Sequence, residues 1–544
     1  MKNGENMLLT DINHTYTQLD YTESELDNAL KVLEELSPYM DNYQFLPQFR
    51  AGIIDGKKRF YNIVDGKVLV PKGLSDGISS KFQIPYSKLI DEIKFTKEDL
   101  QKHIDTLNLP FQPYEYQFDG VLEMLNEKRM VSIFATGSGK SLIAYIFLTF
   151  LVSIGRKTIL LVPNVGLVEQ MYNDFIDYGM KDDTFICKIY SGQEKLLEKP
   201  LIISTYQSMI RIVKEPFIKQ IDGIFVDEAH GLNDIENSMG QIVAATENAK
   251  WKIGVTGTLP ESETGRLSLY SFLGSLRIRI RPIDLIKMGR ATPVLVKMIY
   301  FNYDKKVTKK LIKNMKAKTA YNKEIQFLES FIPRNENIIK IAENVTKKYG
   351  NSIVLFSSIA HGELLTKIAM KKRVPELSNI PLDDIEFKVK LTSRTKIEKK
   401  YVIYQTLKET KTFSGVENSF CLSDYDIFFI KGEVSGAERV EISNILENKR
   451  EALLIANYAT TSTGTSIKNI HNIIFSITTK GFIRVSQSLG RGMRLHSSKE
   501  AVRIIDVVDD IDGKNYALDH SYKRLHNVYF FNGYPVEEME IKIN

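Results

Sequence analysis

Cysteine is nearly absent: Cys187 and Cys421 are the two in 544 residues, and neither sits in a CxxC pair or beside a histidine cluster. This argues against a disulfide framework and against a cysteine-ligated zinc site, and buried free thiols are the expectation. No apolar run is long enough to span a bilayer, since the longest, around residues 141–154, is broken by Ser and Tyr. The first residues, MKNGENMLLTDINHTYTQLD, lack the apolar core of a secretion signal, so a cytoplasmic protein is expected. No solenoid-like period is visible, and no nuclease motif stands out. Charge of one sign is only mildly in excess, with a formal net charge of +6 and a pI near 8.8. Such a balance suits a polyanionic partner without demanding one. Lysines gather at 305–318 and again between Lys371 and Lys400, where solvated helix faces are favoured slightly over contact with nucleic acid.

What is present is a two-part α/β pattern. The length implies about three domains of ordinary size. Apolar strand-like runs TILLVP (158–163), PLIIST (200–205), GIFVDEAH (223–230) and KIGVTGT (252–258) alternate with helical segments, which signals a parallel sheet covered by helices. A second series follows in SIVLFSS (352–358), IFFIKG (427–432), ALLIAN (452–457), NIIFSI (472–477) and VRIIDVV (502–508). Between the series, RPIDLIKMGRATPVLV (281–296) reads as a connection, with a lysine-rich helix opening the second half. Upstream of residue 100, short β-type runs separated by D-G and P-x-G turn signals suggest a small α+β module. The expected layout is an N-terminal module at 1–95, a first α/β domain at 96–285, a second at 286–515 with an insert at about 371–424, and a tail at 516–544.

Residues 134–141 read FATGSGKS, the last five positions of a phosphate-binding loop with Phe134 where glycine usually stands. Backbone N–H groups wrapping a phosphate need Gly137 and Gly139 for close approach. Lys140 carries the charge that reaches the β- and γ-phosphates, and the Ser141 hydroxyl can hold Mg²⁺. None of this needs glycine at 134. The apolar run MVSIF before the loop and the apolar helix after it place the phosphate at a helix N-terminus. VDEAH (226–230) follows a strand-like run and puts two carboxylates at a strand's carboxyl end. Asp227 is assigned to the metal and Glu228 to orienting and deprotonating the attacking water.

The phosphate loop, DEAH box and TGT (256–258), followed by QSLGRGMR (487–494), resemble in that order the motifs of superfamily 2 DExH-box helicases and translocases. The resemblance implies two tandem RecA-like parallel-sheet domains and an enzyme that hydrolyses ATP with Mg²⁺. It implies nucleotide contacts from Gln117 (the adenine-reading glutamine), Thr136, Gly137, Ser138, Gly139, Lys140, Ser141 and Gly464. His230, Thr256, Thr258 and Gln487 would couple ATP state to nucleic-acid grip, and Arg491 and Arg494 would be arginine fingers, worth ~10³–10⁵ in rate. Nucleic-acid-facing loops would include Pro163, Asn164, Ser191, Gly192, Thr205, Gln207, Ser357, Ser358 and Thr463.

Outside these motifs, YQFLPQFRAGIIDGKKRFY, MYNDFIDYGM (171–180) and STGTSIKNIHNIIF (462–475) are similar to a phage family of recombination and repair helicases. The stretch between HGELL (361–365) and KGEVSGAERVEI (431–442) is longer than is common there. Three functions stay open: a helicase remodelling branched DNA, a double-strand translocase that does not unwind, and an RNA helicase. DNA is the expected partner, RNA the alternative, and other recombination or replication proteins are candidate partners of a monomer. Arg50, Lys57, Lys58 and Arg59 sit beside aromatic residues in the N-terminal module, where phosphate contact and a merely solvated hairpin are equally good readings.

Overall fold

The computed structural model describes residues 7–41, 43–89, 93–180, 185–190, 198–260, 262–314, 320–389, 399–405, 418–458, 467–477, 496, 498–511, 513 and 515–543. The chain divides into two compact units, Met1–Arg281 and Pro282–Asn544.

The first unit opens with a small sheet of β1 (Leu8–Asp11), β2 (Tyr16–Asp20), β3 (Asn62–Val64), β4 (Lys67–Pro71) and β5 (Tyr86–Ser87), in the order β3-β4-β2-β1-β5. Its pairs are antiparallel except β1 with β5. Alternation along β4 turns Val68 and Val70 into a core with Leu9, Leu19, Val32 and Phe60. Tyr270 and Leu267 of the larger sheet's helix Glu263–Leu273 pack against that core. The approach is close: a Cβ on Gly73 would stand 2.0 Å from the Tyr270 carbonyl oxygen.

Next come β6 (Arg129–Phe134), β7 (Thr158–Val162), β8 (Ile186–Ile189), β9 (Leu201–Thr205), β10 (Gly223–Asp227), β11 (Trp251–Thr256) and β12 (Leu276–Ile280). They form one parallel sheet in the order β12-β6-β11-β10-β7-β9-β8. Strands β7, β9, β10 and β11 are buried at every position, which explains their unbroken apolar character. Helix Lys140–Ser153 is buried from Leu142 to Leu151, so it lies inside the layer and not across its surface.

The second unit holds β13 (Val294–Tyr303), β14 (Ser352–Phe356), β15 (Ile385–Lys388), β16 (Tyr401–Tyr404), β17 (Asn418–Cys421), β18 (Ile427–Ile430), β19 (Leu453–Asn457), β20 (Asn472–Phe475), β21 (Val502–Asp510) and β22 (Val536–Ile543). The large sheet is parallel, in the order β18-β19-β14-β20-β21-β13-β22. Here the sequence expectation needs correction. The stretch expected as a connection contains helix Pro282–Lys287 and the start of β13, so a strand and not the lysine-rich helix Lys305–Asn314 precedes the first crossover. Residues 516–544, expected as a tail, hold helix Tyr516–Arg524 and the edge strand β22. The insert contributes a parallel sheet β15-β16-β17. Its Gln405 amide exchanges two hydrogen bonds with the Phe429 backbone, at 2.7 and 3.0 Å, and so extends the β18 edge. Both cysteines are free and buried, as expected.

Candidate nucleotide site and its neighbouring loops

In a parallel sheet every carboxyl end lies on one edge. The strand order therefore brings the phosphate loop (after β6), the TGT segment (after β11) and the DEAH box (after β10) side by side, because β6, β11 and β10 are neighbours. Pro163 and Asn164 after β7, Thr205 at the end of β9 and Gln207 just beyond it continue the row.

Phe134, at the position usually held by glycine, ends β6 and is fully buried; its ring fills the space that a side chain at Gly120 would occupy. Gly137 and Gly139 have φ of +84° and +81°, a region that glycine enters without steric cost. A Cβ on Gly139 would stand 2.4 Å from Gln117 Nε2, so glycine is needed there for space as well. Gln117 is buried, donates from Nε2 to the Ser138 carbonyl at 2.8 Å, and accepts from the Tyr114 N–H at 2.9 Å. Both ends of the amide are thus engaged by the loop and by its own helix start. Tyr116 donates to the same Ser138 carbonyl at 2.9 Å, a brace that no sequence motif marks. Lys140 and Ser141 begin the buried helix, where exposed N–H groups favour an anion.

Asp227 ends β10 and is buried, and its Oδ1 has no hydrogen-bond partner among the described residues. Burial, reinforced by the charge of Glu228, raises its carboxyl well above the usual range, while Lys140 pulls the other way. A buried carboxylate left with an unpaired oxygen is the arrangement a cation would relieve. Glu228 has φ +49°, the left-handed region that a residue with a Cβ enters at a cost of about 1 kcal/mol or more. That turn swings the chain from the strand into the short segment Ala229–Gly231 and sets His230 Nδ1 3.3 Å from Glu228 Oε2.

Nδ1 of His230 is also 2.9 Å from the Thr256 hydroxyl, which donates to the Thr258 carbonyl at 2.8 Å and accepts from the Thr258 N–H at 3.2 Å. With its proton so placed, Thr256 accepts from the imidazole, which fixes the Nδ1–H form. The Thr258 hydroxyl has no hydrogen-bond partner among the described residues.

The loop residues expected at nucleic acid have local duties. Asn164, Thr205 and Ser358 each cap a helix, accepting from the N–H groups of Leu167 (3.0 Å), Ser208 (3.2 Å) and His361 (3.3 Å). Ser358 also donates to Glu329 at 2.7 Å, and the Ser357 carbonyl accepts from Asn457 at 2.8 Å. Ser191, Gly192, Thr463, Gly464, Gln487, Arg491 and Arg494 lie outside the described residues. In the second unit, β19, β14 and β20 are adjacent and their carboxyl ends lead toward those motifs. Arg334, buried with Asp509 at 2.7 Å, donates to the Ser476 carbonyl at 2.6 Å at the end of β20. Among the described residues no group of three or more His, Cys, Asp or Glu could hold a metal, and no helix is long and apolar enough to cross a membrane.

Residues 97–261 match the family described as Type III restriction enzyme, res subunit. In motif order and in its two parallel sheets the chain resembles the class of superfamily 2 DExH-box helicases. Within that class it is similar to the ATP-dependent DNA helicase uvsW of Enterobacteria phage T4, at 26% identity over 532 residues, 94% of this chain and 93% of that protein. It is 28% identical over 230 residues to the DNA 3'-5' translocase XPB2 of Sulfurisphaera tokodaii, covering 37% of this chain and 48% of the relative. In structure, a fragment of a putative HsdR subunit of a type I restriction enzyme from Vibrio vulnificus YJ016 shares the fold, with a TM-score of 0.52 at 17% identity over 97% of this chain and 88% of that one.

Proposed function

We propose that the protein is an ATP-dependent DNA helicase that remodels branched DNA, by branch migration, fork regression or unwinding, in recombination, repair or replication. One observation carries the ATP-hydrolysing part: phosphate loop, DEAH box and TGT segment occupy three adjacent strand ends of one sheet. The branched-DNA part rests on similarity along nearly the whole chain to the phage T4 DNA helicase.

In this reading the loop N–H groups of 136–141 and Lys140 bind the phosphates of ATP. Ser141 and Asp227 would hold Mg²⁺, whose fit is supported by the unpaired, buried Asp227 Oδ1. Bound there, the ion would neutralise charge on the β- and γ-phosphates. Glu228 orients the attacking water and takes its proton. His230 and Thr256 tie that carboxylate to the TGT segment, the route by which nucleotide state reaches the strand-gripping loops. Arg491 and Arg494 are assigned as transition-state arginines on motif order alone, and the loops at 163–164, 205–207 and 357–358 as strand contacts on the same ground.

A translocase that moves on duplex without separating it is the second reading, favoured by the similarity to XPB2. ATP turnover measured with fork DNA, linear duplex, single strands and structured RNA separates the readings. The proposal expects the fork to stimulate most. Equal stimulation by fork and linear duplex points to the translocase, and strongest stimulation by RNA would overturn a DNA substrate.

A further inference from the structure

Ser141 is not alone at the mouth of the phosphate loop. Its hydroxyl oxygen lies 2.8 Å from the phenolic oxygen of Tyr178, and either can donate to the other. The Asp174 carboxyl, one turn earlier on helix Val165–Asp177, accepts hydrogen bonds from Ser141 and Gln170. The Ser141 hydroxyl therefore meets two groups from one helix end, neither part of a nucleotide motif.

Tyr178 is held firmly. Its N–H donates to the Asp174 carbonyl at 2.9 Å, and its ring packs on Tyr145 (centroids 5.6 Å apart) and edge-on to Phe111 (5.9 Å). The next residue, Gly179, has φ +103°, and a Cβ there would stand 3.0 Å from the Leu107 carbonyl oxygen and 3.2 Å from that of Asn108. Only glycine lets the chain press so closely on the turn that leads to Phe111 and Gln117. The phenol is thus clamped between the segment preceding Gln117 and the start of the phosphate-loop helix.

A serine that coordinates a cation through an oxygen lone pair must direct its proton away from the metal. Tyr178 and Asp174 lie where that proton can go. We infer that Tyr178, supported by Asp174, is a positioning residue that orients the Ser141 hydroxyl so that its oxygen faces a phosphate-bound divalent cation. The inference rests on the reading of Ser141 as a Mg²⁺ ligand. It gives the segment MYNDFIDYGM a task at the nucleotide site in addition to packing.

The experiment measures binding of a fluorescent ATP analogue to the full chain in EDTA and across a Mg²⁺ titration, with thermal unfolding alongside. The variants are Tyr178→Phe, which keeps the ring contacts and removes only the hydroxyl, Asp174→Asn and Ser141→Ala. Tyr178→Phe is expected to bind the analogue normally in EDTA and to need on the order of fivefold more Mg²⁺ for half-maximal tightening, the worth of one lost hydrogen bond. Asp174→Asn should shift the midpoint in the same direction, and Ser141→Ala should shift it further. A shifted midpoint for Ser141→Ala with an unshifted one for Tyr178→Phe overturns the inference and leaves the Mg²⁺ reading standing. An unshifted midpoint for Ser141→Ala overturns both. A Tyr178→Phe protein that loses thermal stability but keeps the wild-type midpoint shows a purely structural hydroxyl and also overturns the inference.

Discussion

The imidazole of His230 and the hydroxyl of Thr256 lie 2.9 Å apart, a side-chain contact from the DEAH box on β10 to the TGT segment on β11. The same imidazole nitrogen stands 3.3 Å from Glu228, so a carboxylate assigned to water activation and a threonine assigned to nucleic-acid coupling share one bridge.

Breaking the bridge should uncouple the two activities. Thr256→Val removes the acceptor with little change in volume. Expected are ATP affinity and unstimulated turnover within about threefold of wild type and a loss of most of the stimulation by fork DNA, since one hydrogen bond of about 1 kcal/mol separates the variants. Steady-state ATPase with and without fork DNA checks this. Unchanged stimulation in Thr256→Val would remove the bridge from the coupling route.

Lys140 and Glu228 should fail differently. Lys140→Ala loses a phosphate-binding charge, so nucleotide affinity and turnover fall together. Glu228→Gln should bind ATP and DNA but lower kcat by 10² or more, because the amide cannot take the proton from water. Nucleotide binding and single-turnover hydrolysis distinguish them. A Gln variant that hydrolyses at the normal rate assigns the base elsewhere.

A buried lysine links the N-terminal module to the ATPase sheet. Lys252, fully buried on β11, donates to the Thr15 hydroxyl at 2.6 Å and to the Val243 carbonyl at 2.7 Å. Burial, followed by the charge of Arg129, lowers its ammonium well below its ordinary value. The sign follows from proton counting: between the folded and unfolded pKa values the unfolded chain binds more protons, so this group's contribution to stability grows as pH rises toward about 10.4 and is lost as pH falls. Lys252→Met should flatten that rise and be neutral or stabilising at pH 7, whereas Thr15→Val should destabilise by about 1–3 kcal/mol. Urea unfolding from pH 7 to 10 tests both. A Lys252→Met protein with the wild-type slope would contradict the assignment.

Three histidines make the protein sensitive to acid. Burial lowers His103 and His471 to about 4 and His361 to about 3, and each ring donates to a neutral oxygen, of Thr149, Asn469 and Asn335. Their folded values lie below the unfolded one near 6.5, so their stabilisation is complete above pH 6.5 and is lost as pH falls through those folded values. His103→Gln should shift the first unit's acid unfolding midpoint downward by comparison with wild type, measured by circular dichroism. An unchanged midpoint would show that His103 does not govern it.

Much of the site could be read before any coordinates. FATGSGKS, VDEAH and TGT have local chemistry that requires particular residue types, and long buried strands such as TILLV advertise themselves by composition. Less legible were elements whose stability comes from partners distant in sequence. β22, VEEMEIKI, is mostly exposed and acidic and becomes a strand through its pairing with β13, where Tyr300 and Asn302 meet Glu538 and Glu540 at 3.1 and 3.0 Å. The insert's short strands, of which β16 buries Val402 and Ile403, are likewise anchored at a distant partner by Gln405 on Phe429. The N-terminal basic cluster changes character for the same reason. Lys58 pairs with Asp234 at 2.8 Å and Glu236 at 3.2 Å just after the DEAH box, Arg59 with Asp55 at 2.6 Å, and Lys57 with Glu34, so docking and local pairing occupy charges that composition alone offered to phosphate. The bracing roles of Tyr116 and Tyr178 were not legible, although Tyr178 lies in MYNDFIDYGM, because a brace on a carbonyl or a hydroxyl is set by geometry alone.

The most direct test of the central proposal follows a fluorescently labelled model fork as its strands are rearranged by the full chain with Mg²⁺ and ATP. The account predicts rearranged product only when ATP is hydrolysed, with none from Glu228→Gln although it binds the fork. Product forming equally without ATP, or ATP turnover that is the same with and without the fork and yields no rearrangement, would contradict it.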